Sequence, residues 1–165
     1  MLADFLGPVH LAAAVLSMVS GAIMLMLRKG TRMHRRAGYV YVALMFTVLA
    51  TSLAIYDLTG GFNVLHGLAL AGAVTLFLGL KAAWQRKAGW LERHYRAMAW
   101  SYIGLIAAFV SESATRLGIP LLAARGFAPG AWFWGLIAFS TFVVTFVGAF
   151  LLELKKRRYG WKGIS

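Results

Sequence analysis

Apolar residues run along this chain in five stretches, separated by short segments that hold nearly all of its charge. The stretches read about Leu6–Leu27, Ala37–Asp57, Asn63–Ala83, Tyr95–Leu117 and Ala131–Leu154. A helix that spans a bilayer needs roughly 20 apolar residues. Inside hydrocarbon the backbone must satisfy its own N–H and C=O groups, so uninterrupted runs of this length are helices. The pattern predicts an all-α integral membrane protein, a five-transmembrane-helix bundle that forms a single membrane domain over residues 1–165. Trp132 and Trp134 open the fifth stretch as an interfacial anchor. The segment 118–130, with Pro120, Gly126, Pro129 and Gly130, predicts a long connection before it.

Composition agrees: 61% of the residues are hydrophobic, 13% are charged, and the mean hydropathy is +0.73. The net charge of +12 raises the question of nucleic acid, and its distribution answers it. Fifteen of the seventeen Lys and Arg fall in Arg28–Arg36, Lys81–Arg96 and Lys155–Lys162. Those patches follow the first, third and fifth stretches and so share one face. The other face carries Arg116 and Arg125 with Asp4, Asp57 and Glu112. Under the positive-inside rule the basic face is cytoplasmic, with the N-terminus outside and the C-terminus inside. The expected partner of the patches is the anionic cytoplasmic leaflet, not nucleic acid. The expected location is a bacterial inner membrane. The first stretch lacks a basic leader and carries Asp4, unlike a cleaved signal peptide. With no cysteine, disulfides, thiolate metal sites and covalent CxxCH haem attachment are excluded.

Each of the four histidines stands at or near the start of a different stretch: His10, His34, His66 and His94. Alternate helices run in opposite directions, so His10 and His66 share one membrane face and His34 and His94 the other. The first four stretches read as a two-helix unit used twice, repeat 1 at about 6–57 and repeat 2 at about 63–117. In each, a histidine opens a span, a basic loop follows, and an H-x-R-A tetrapeptide opens the next span. These are His34-Arg35-Arg36-Ala37 and His94-Tyr95-Arg96-Ala97, reached 24 and 28 residues after His10 and His66. Same-orientation units make a parallel repeat. The fifth helix, about 131–154, and the basic tail 155–165 stand outside this four-helix core.

Near a helix N-terminus the macrodipole favours a neutral imidazole, the form that ligates metal. Facing helices can bring two such rings to opposite sides of a haem. The layout points to His10 with His66 at an outer haem b and His34 with His94 at an inner one. Along the His10 face of the first helix lie Ala13, Ala14, Ser17 and Gly21, which make room for a flat ring or for close helix packing. Arg35, Arg36 and Arg96, with Arg28, Arg32 and Arg93 nearby, are candidate propionate or anion contacts. The 17 residues from His10 to Leu27 rise only about 26 Å, so the two sites would lie shallow and far apart. Glu112 follows His94 by 18 residues on the same helix face, with Arg116 at i+4. That pair reads as a proton or substrate group, or as an ion pair at a helix end. Zinc or copper in the histidine pairs would need further ligands such as Asp57, and Met33 and Met98 show no Met-x-x-Met spacing for copper.

Ligands alternating between helices 1/3 and 2/4 resemble the transmembrane di-haem b-type cytochromes of the ascorbate- and quinol-oxidising kind, over about residues 6–117. That resemblance implies electron transfer across the membrane through two bis-histidine haems, from a quinol or small reductant. The segments His34–Gly38 and Arg93–Met98 resemble a family of small bacterial predicted membrane proteins, which implies no activity. The other reading is a haem-free membrane protein, an accessory subunit or small proton-coupled transporter, with structural or metal-binding histidines. So little extramembrane mass suggests a homodimer or a place in a larger membrane complex. The orientation is testable with topology reporters: fusions within 28–36 and 81–96 should report cytoplasm, and one at Arg125 the opposite side.

Overall fold

A computed structural model of the protein describes residues 2–56 and 60–158. Asp57 and the tail from residue 159 onward lie outside the described residues. Within them the regular structure is helical: α1 (Leu2–Met26), α2 (Arg32–Ala54), α3 (Val64–Gln85), α4 (Trp90–Ala123) and α5 (Pro129–Arg158). All five are long and apolar enough to cross a membrane, as the hydrophobic pattern requires.

The helices overrun the apolar stretches, and the ends show why. α2 starts five residues before Ala37 because Thr31 caps it: its hydroxyl accepts from the His34 N–H (3.2 Å) and donates to Arg28 O (2.9 Å). A threonine in this role satisfies a backbone donor that helix geometry leaves unpaired. Lys29 closes the end of α1, its ammonium donating to the carbonyls of Met24 (2.9 Å) and Leu25 (3.0 Å). The larger departure is at 118–130, where a long connection was expected. Here α4 continues through Pro120 to Ala123, leaving only a tight turn before Pro129. The Phe127 N–H reaches Leu122 O (3.1 Å) and the Gly126 N–H reaches Ala123 O (3.0 Å), with Gly126 at φ +84°. This is a Schellman closure, and its left-handed position is one that glycine occupies without a Cβ penalty. Pro120 costs the helix one donor but does not end it, because the strong helix formers Leu121–Ala124 follow it.

The chain divides into two compact units, Met1–Phe77 and Leu78–Ser165. In the first, α1 packs on α2. Ala13, Ala14, Ser17, Ser20, Gly21 and Met24 form the buried stripe of α1. His10 and Met24, at its two ends, touch Thr51 and Gly38 of α2, so the stripe is the face that meets α2. Its small residues serve close helix packing, one of the two uses expected of them. Tyr41, Met45, Val48 and Leu49 supply the buried side of α2, and Leu49 lies against Gly72 of α3.

In the second unit α4 packs on α5. Ile103 faces Gly148, the Ser111 hydroxyl bonds Ser140 (2.8 Å) and Thr141 (2.9 Å), and Gly118 faces Leu136. These pairs trace one antiparallel seam, with hydroxyls in its middle and glycines toward its ends. Such seams hold helices together in lipid, where burial of apolar surface no longer distinguishes a neighbouring helix from solvent. The outer side of α5 shows Phe139, Phe142, Phe146 and Phe150, a surface suited to acyl chains.

The seam sets a test. A Cβ on Gly148 would lie 2.8 Å from Ile103 Cδ1 and Cγ1 and 2.9 Å from Cγ2, whereas one on Gly135 meets nothing within 4 Å. Gly148→Ala is expected to lower unfolding stability in detergent by about 1–3 kcal/mol. Gly135→Ala should be neutral or mildly stabilising, as helix propensity alone dictates.

Candidate functional site

The four histidines occupy different places in their helices. His34 and His66 lie in the first turn of α2 and α3, His94 in the second turn of α4, and His10 a further turn into α1. What separates them chemically is which ring nitrogen carries the proton, and the neighbours decide that.

For His94 the partner is a carbonyl. Its Nδ1 lies 2.9 Å from the carbonyl oxygen of Gly79, which only accepts, so Nδ1 carries a hydrogen, and in the neutral ring Nε2 holds the lone pair. Gly79 can come this close because it has no side chain: a Cβ there would lie 2.7 Å from Met98 Sδ and 3.3 Å from the Met98 backbone nitrogen. His10 reaches the same state by another route. Its Nδ1 is 2.9 Å from Thr51 Oγ1, whose single proton is directed at Thr47 O (2.7 Å) or Val48 O (3.0 Å). With that proton on a helix carbonyl, Thr51 accepts from His10 Nδ1–H. A ring with Nδ1–H given to a carbonyl or hydroxyl and Nε2 left for a ligand is the usual state of a metal-bound histidine.

His66 has the opposite polarity. Asn63 caps α3 with its Oδ1, which accepts from the Leu65 N–H (2.9 Å). Three residues on, His66 Nδ1 accepts from the backbone N–H of Asn63 (3.2 Å). This is a capping box in which histidine takes the place usually held by Glu or Gln. With its Nδ1 lone pair engaged, the neutral ring carries its proton on Nε2. That nitrogen is buried and has no hydrogen-bond partner among the described residues. The ring is 3% exposed and stacks with both Tyr56 and Phe62, each 4.9 Å away centroid to centroid and near parallel (25° and 30°).

The structure therefore gives the expected haem sites an uneven fit. His94 has its Nδ1 on a carbonyl and His10 its Nδ1 on a hydroxyl. For His66 to bind iron through Nε2, its proton would have to move to Nδ1, where the Asn63 N–H already points. His34 is half-buried at the start of α2 beside its Thr31 cap.

The other candidate residues are placed as follows. Arg35 and Arg36 are exposed at the start of α2. Arg96 lies 3.7 Å from Glu92, both largely in the open, a contact worth little by itself. Arg116 Nε donates to Glu112 Oε1 at 2.8 Å, one turn apart on α4. No cluster of three or more His, Asp or Glu suited to a metal ion occurs among the described residues. Sequence reading passed over Thr51, Asn63, Tyr56 and Phe62. Of these only Asn63, three residues before His66 at a helix start, carried a readable signal.

Residues 7–153 match the family described as "Predicted membrane protein (DUF2306)". No curated protein and no solved structure matches the chain.

The His94 arrangement is testable through Gly79. Gly79→Ala is expected to push Met98 and the α4 backbone away, lengthen the His94–carbonyl bond and lower thermal stability in detergent by about 1–3 kcal/mol. Thr51→Val should cost about 1 kcal/mol by stranding the His10 donor, and Thr51→Ser should restore it.

Proposed function

The chain belongs to the DUF2306 family of predicted membrane proteins, and on that premise we propose that it is a haem-carrying, multi-pass membrane electron-transfer protein. The observation that carries this reading is the His94 ring, whose Nδ1–H is committed to Gly79 O so that Nε2 is presented as a ligand. His10, whose Nδ1 lies 2.9 Å from Thr51 Oγ1, is the second proposed ligand. Any haem would be held non-covalently, as the absence of cysteine requires.

A bound b-type haem would supply one-electron redox chemistry. The chain's own part is to fix the two rings: Gly79 and Thr51 engage the Nδ1 side and orient the rings. A quinol or a small reductant is the proposed electron source, and Arg35, Arg36 and Arg96 are the proposed contacts for anionic groups. The Glu112–Arg116 pair is the proposed place of proton exchange, being only partly covered and linked by a direct bond.

A second reading has its own support. His10 and His94 each bond to another helix, α2 and α3 respectively. The rings would then be polar joints of a haem-free membrane protein acting as an accessory subunit or small transporter, or metal-binding rings for zinc or copper.

The absorption spectrum of detergent-purified protein separates the two. The haem reading expects sharp reduced α and Soret bands, about two haems per chain by pyridine haemochrome, and loss of one haem in His94→Ala and in His10→Ala. A colourless protein from haem-replete cells establishes the second reading. Full haem content in both variants removes these histidines as ligands.

A further inference from the structure

The Nε2–H of His66 is a hydrogen-bond donor buried at the start of a spanning helix with no acceptor among the described residues. A buried polar group left unpaired is costly, and native proteins rarely carry one without a purpose. Two features fix the chemistry of what it would bind. The capping box commits Nδ1 to Asn63, so Nε2 donates and the missing partner is an acceptor. The described residues stacked on or bonded to the ring, Tyr56, Phe62 and Asn63, are uncharged, so none of these three would offset a buried anion such as phosphate.

We infer that His66 forms a binding site for the carbonyl oxygen of an uncharged, lipid-soluble molecule, which accepts a hydrogen bond from Nε2–H. The Nε2–H bond lies in the plane of the imidazole, so the carbonyl approaches the ring edge, beside the stacked Tyr56 and Phe62. Phe62 is 66% exposed and Tyr56 44%, so both rings also offer aromatic surface to the body of the ligand. The carbonyl has two sources in a membrane: the ring carbonyl of a quinone or the ester carbonyl of a glycerolipid. The inference does not depend on haem. It assigns His66 a role other than iron ligand.

The test uses the full-length protein in detergent, with menadione as the quinone probe and native mass spectrometry to report retained phospholipid. His66→Phe keeps a ring in the stack and removes the donor. His66→Gln keeps both the capping group and an N–H. Wild type and His66→Gln should bind menadione, with His66→Phe weaker by about tenfold or more. If instead a phospholipid stays on wild type and His66→Gln and is lost from His66→Phe, the carbonyl is the lipid ester. Equal behaviour of His66→Phe and wild type, or a wild type that holds neither, overturns the site. So does loss of a haem from His66→Phe, which would make the residue an iron ligand. Should His66→Phe fail to fold, 15N-histidine NMR of the wild type decides: menadione or lipid should shift the His66 Nε2–H signal, and an unmoved signal refutes the inference. A wild type that lacks haem but binds carbonyl would sink the electron-transfer reading and leave this one standing.

Discussion

The constraint on which the rest of this structure depends is the absence of water inside a bilayer. A polar atom in hydrocarbon has only its own chain to bond with. Four hydroxyls along the helices meet this within their own helix: Thr51 turns back to Thr47 O, Ser101 to Met98 O, Thr115 to Ser111 O and Thr145 to Thr141 O. A serine or threonine that back-bonds within its helix brings polarity into the membrane at little cost. Histidine cannot do so at both nitrogens, and each ring must recruit a neighbour. Thr51, Gly79 and Asn63 are those neighbours, and they orient three histidines before any ligand enters.

The same constraint explains how helices adhere here. On α1 the contact face is Ala13, Ala14, Ser17 and Gly21 beside Met24; between α4 and α5 it is Ile103 against Gly148 around a cluster of three hydroxyls. Close approach and a few hydrogen bonds take over the part that apolar burial plays in water. Leucine and phenylalanine are left for the outside, where soluble proteins rarely put them in such numbers. A face of small residues therefore reads ambiguously in a membrane sequence, since a cofactor and a neighbouring helix make the same demand on it.

Much of this was visible in the sequence and some was not, for identifiable reasons. Five helices follow from apolar run length, a property summed over 20 residues and insensitive to any one of them. Their ends depend on single groups. Thr31 extends α2 across Arg32–Arg36, a basic segment that hydropathy alone reads as loop. Pro120 suggested a break, yet the closure falls six residues later at Gly126, where the backbone turns left-handed. The histidines stood out by position, and the Glu112–Arg116 pairing by its i+4 spacing. The proton on each ring did not, because it is set by contacts 15 and 41 residues away in the chain for His94 and His10. For His66 the determinant was local, but histidine is an unfamiliar third residue for a capping box.

The length of α4 has a consequence for the lipid around it. The helix has 34 residues, about 51 Å of rise. Its charge-free portion, Ala97–Ser111, has only 15, about 22 Å against a hydrocarbon thickness of roughly 30 Å. Arg96 at one end and the Glu112–Arg116 pair at the other are thus held closer together than the two polar surfaces of an ordinary bilayer. The membrane must thin at α4, or these side chains must stretch to reach its surfaces. In a thicker bilayer the Glu112–Arg116 pair is drawn into a medium of lower dielectric, where its attraction grows and opening it becomes harder. Bilayer thickness thereby becomes a variable to which this helix responds.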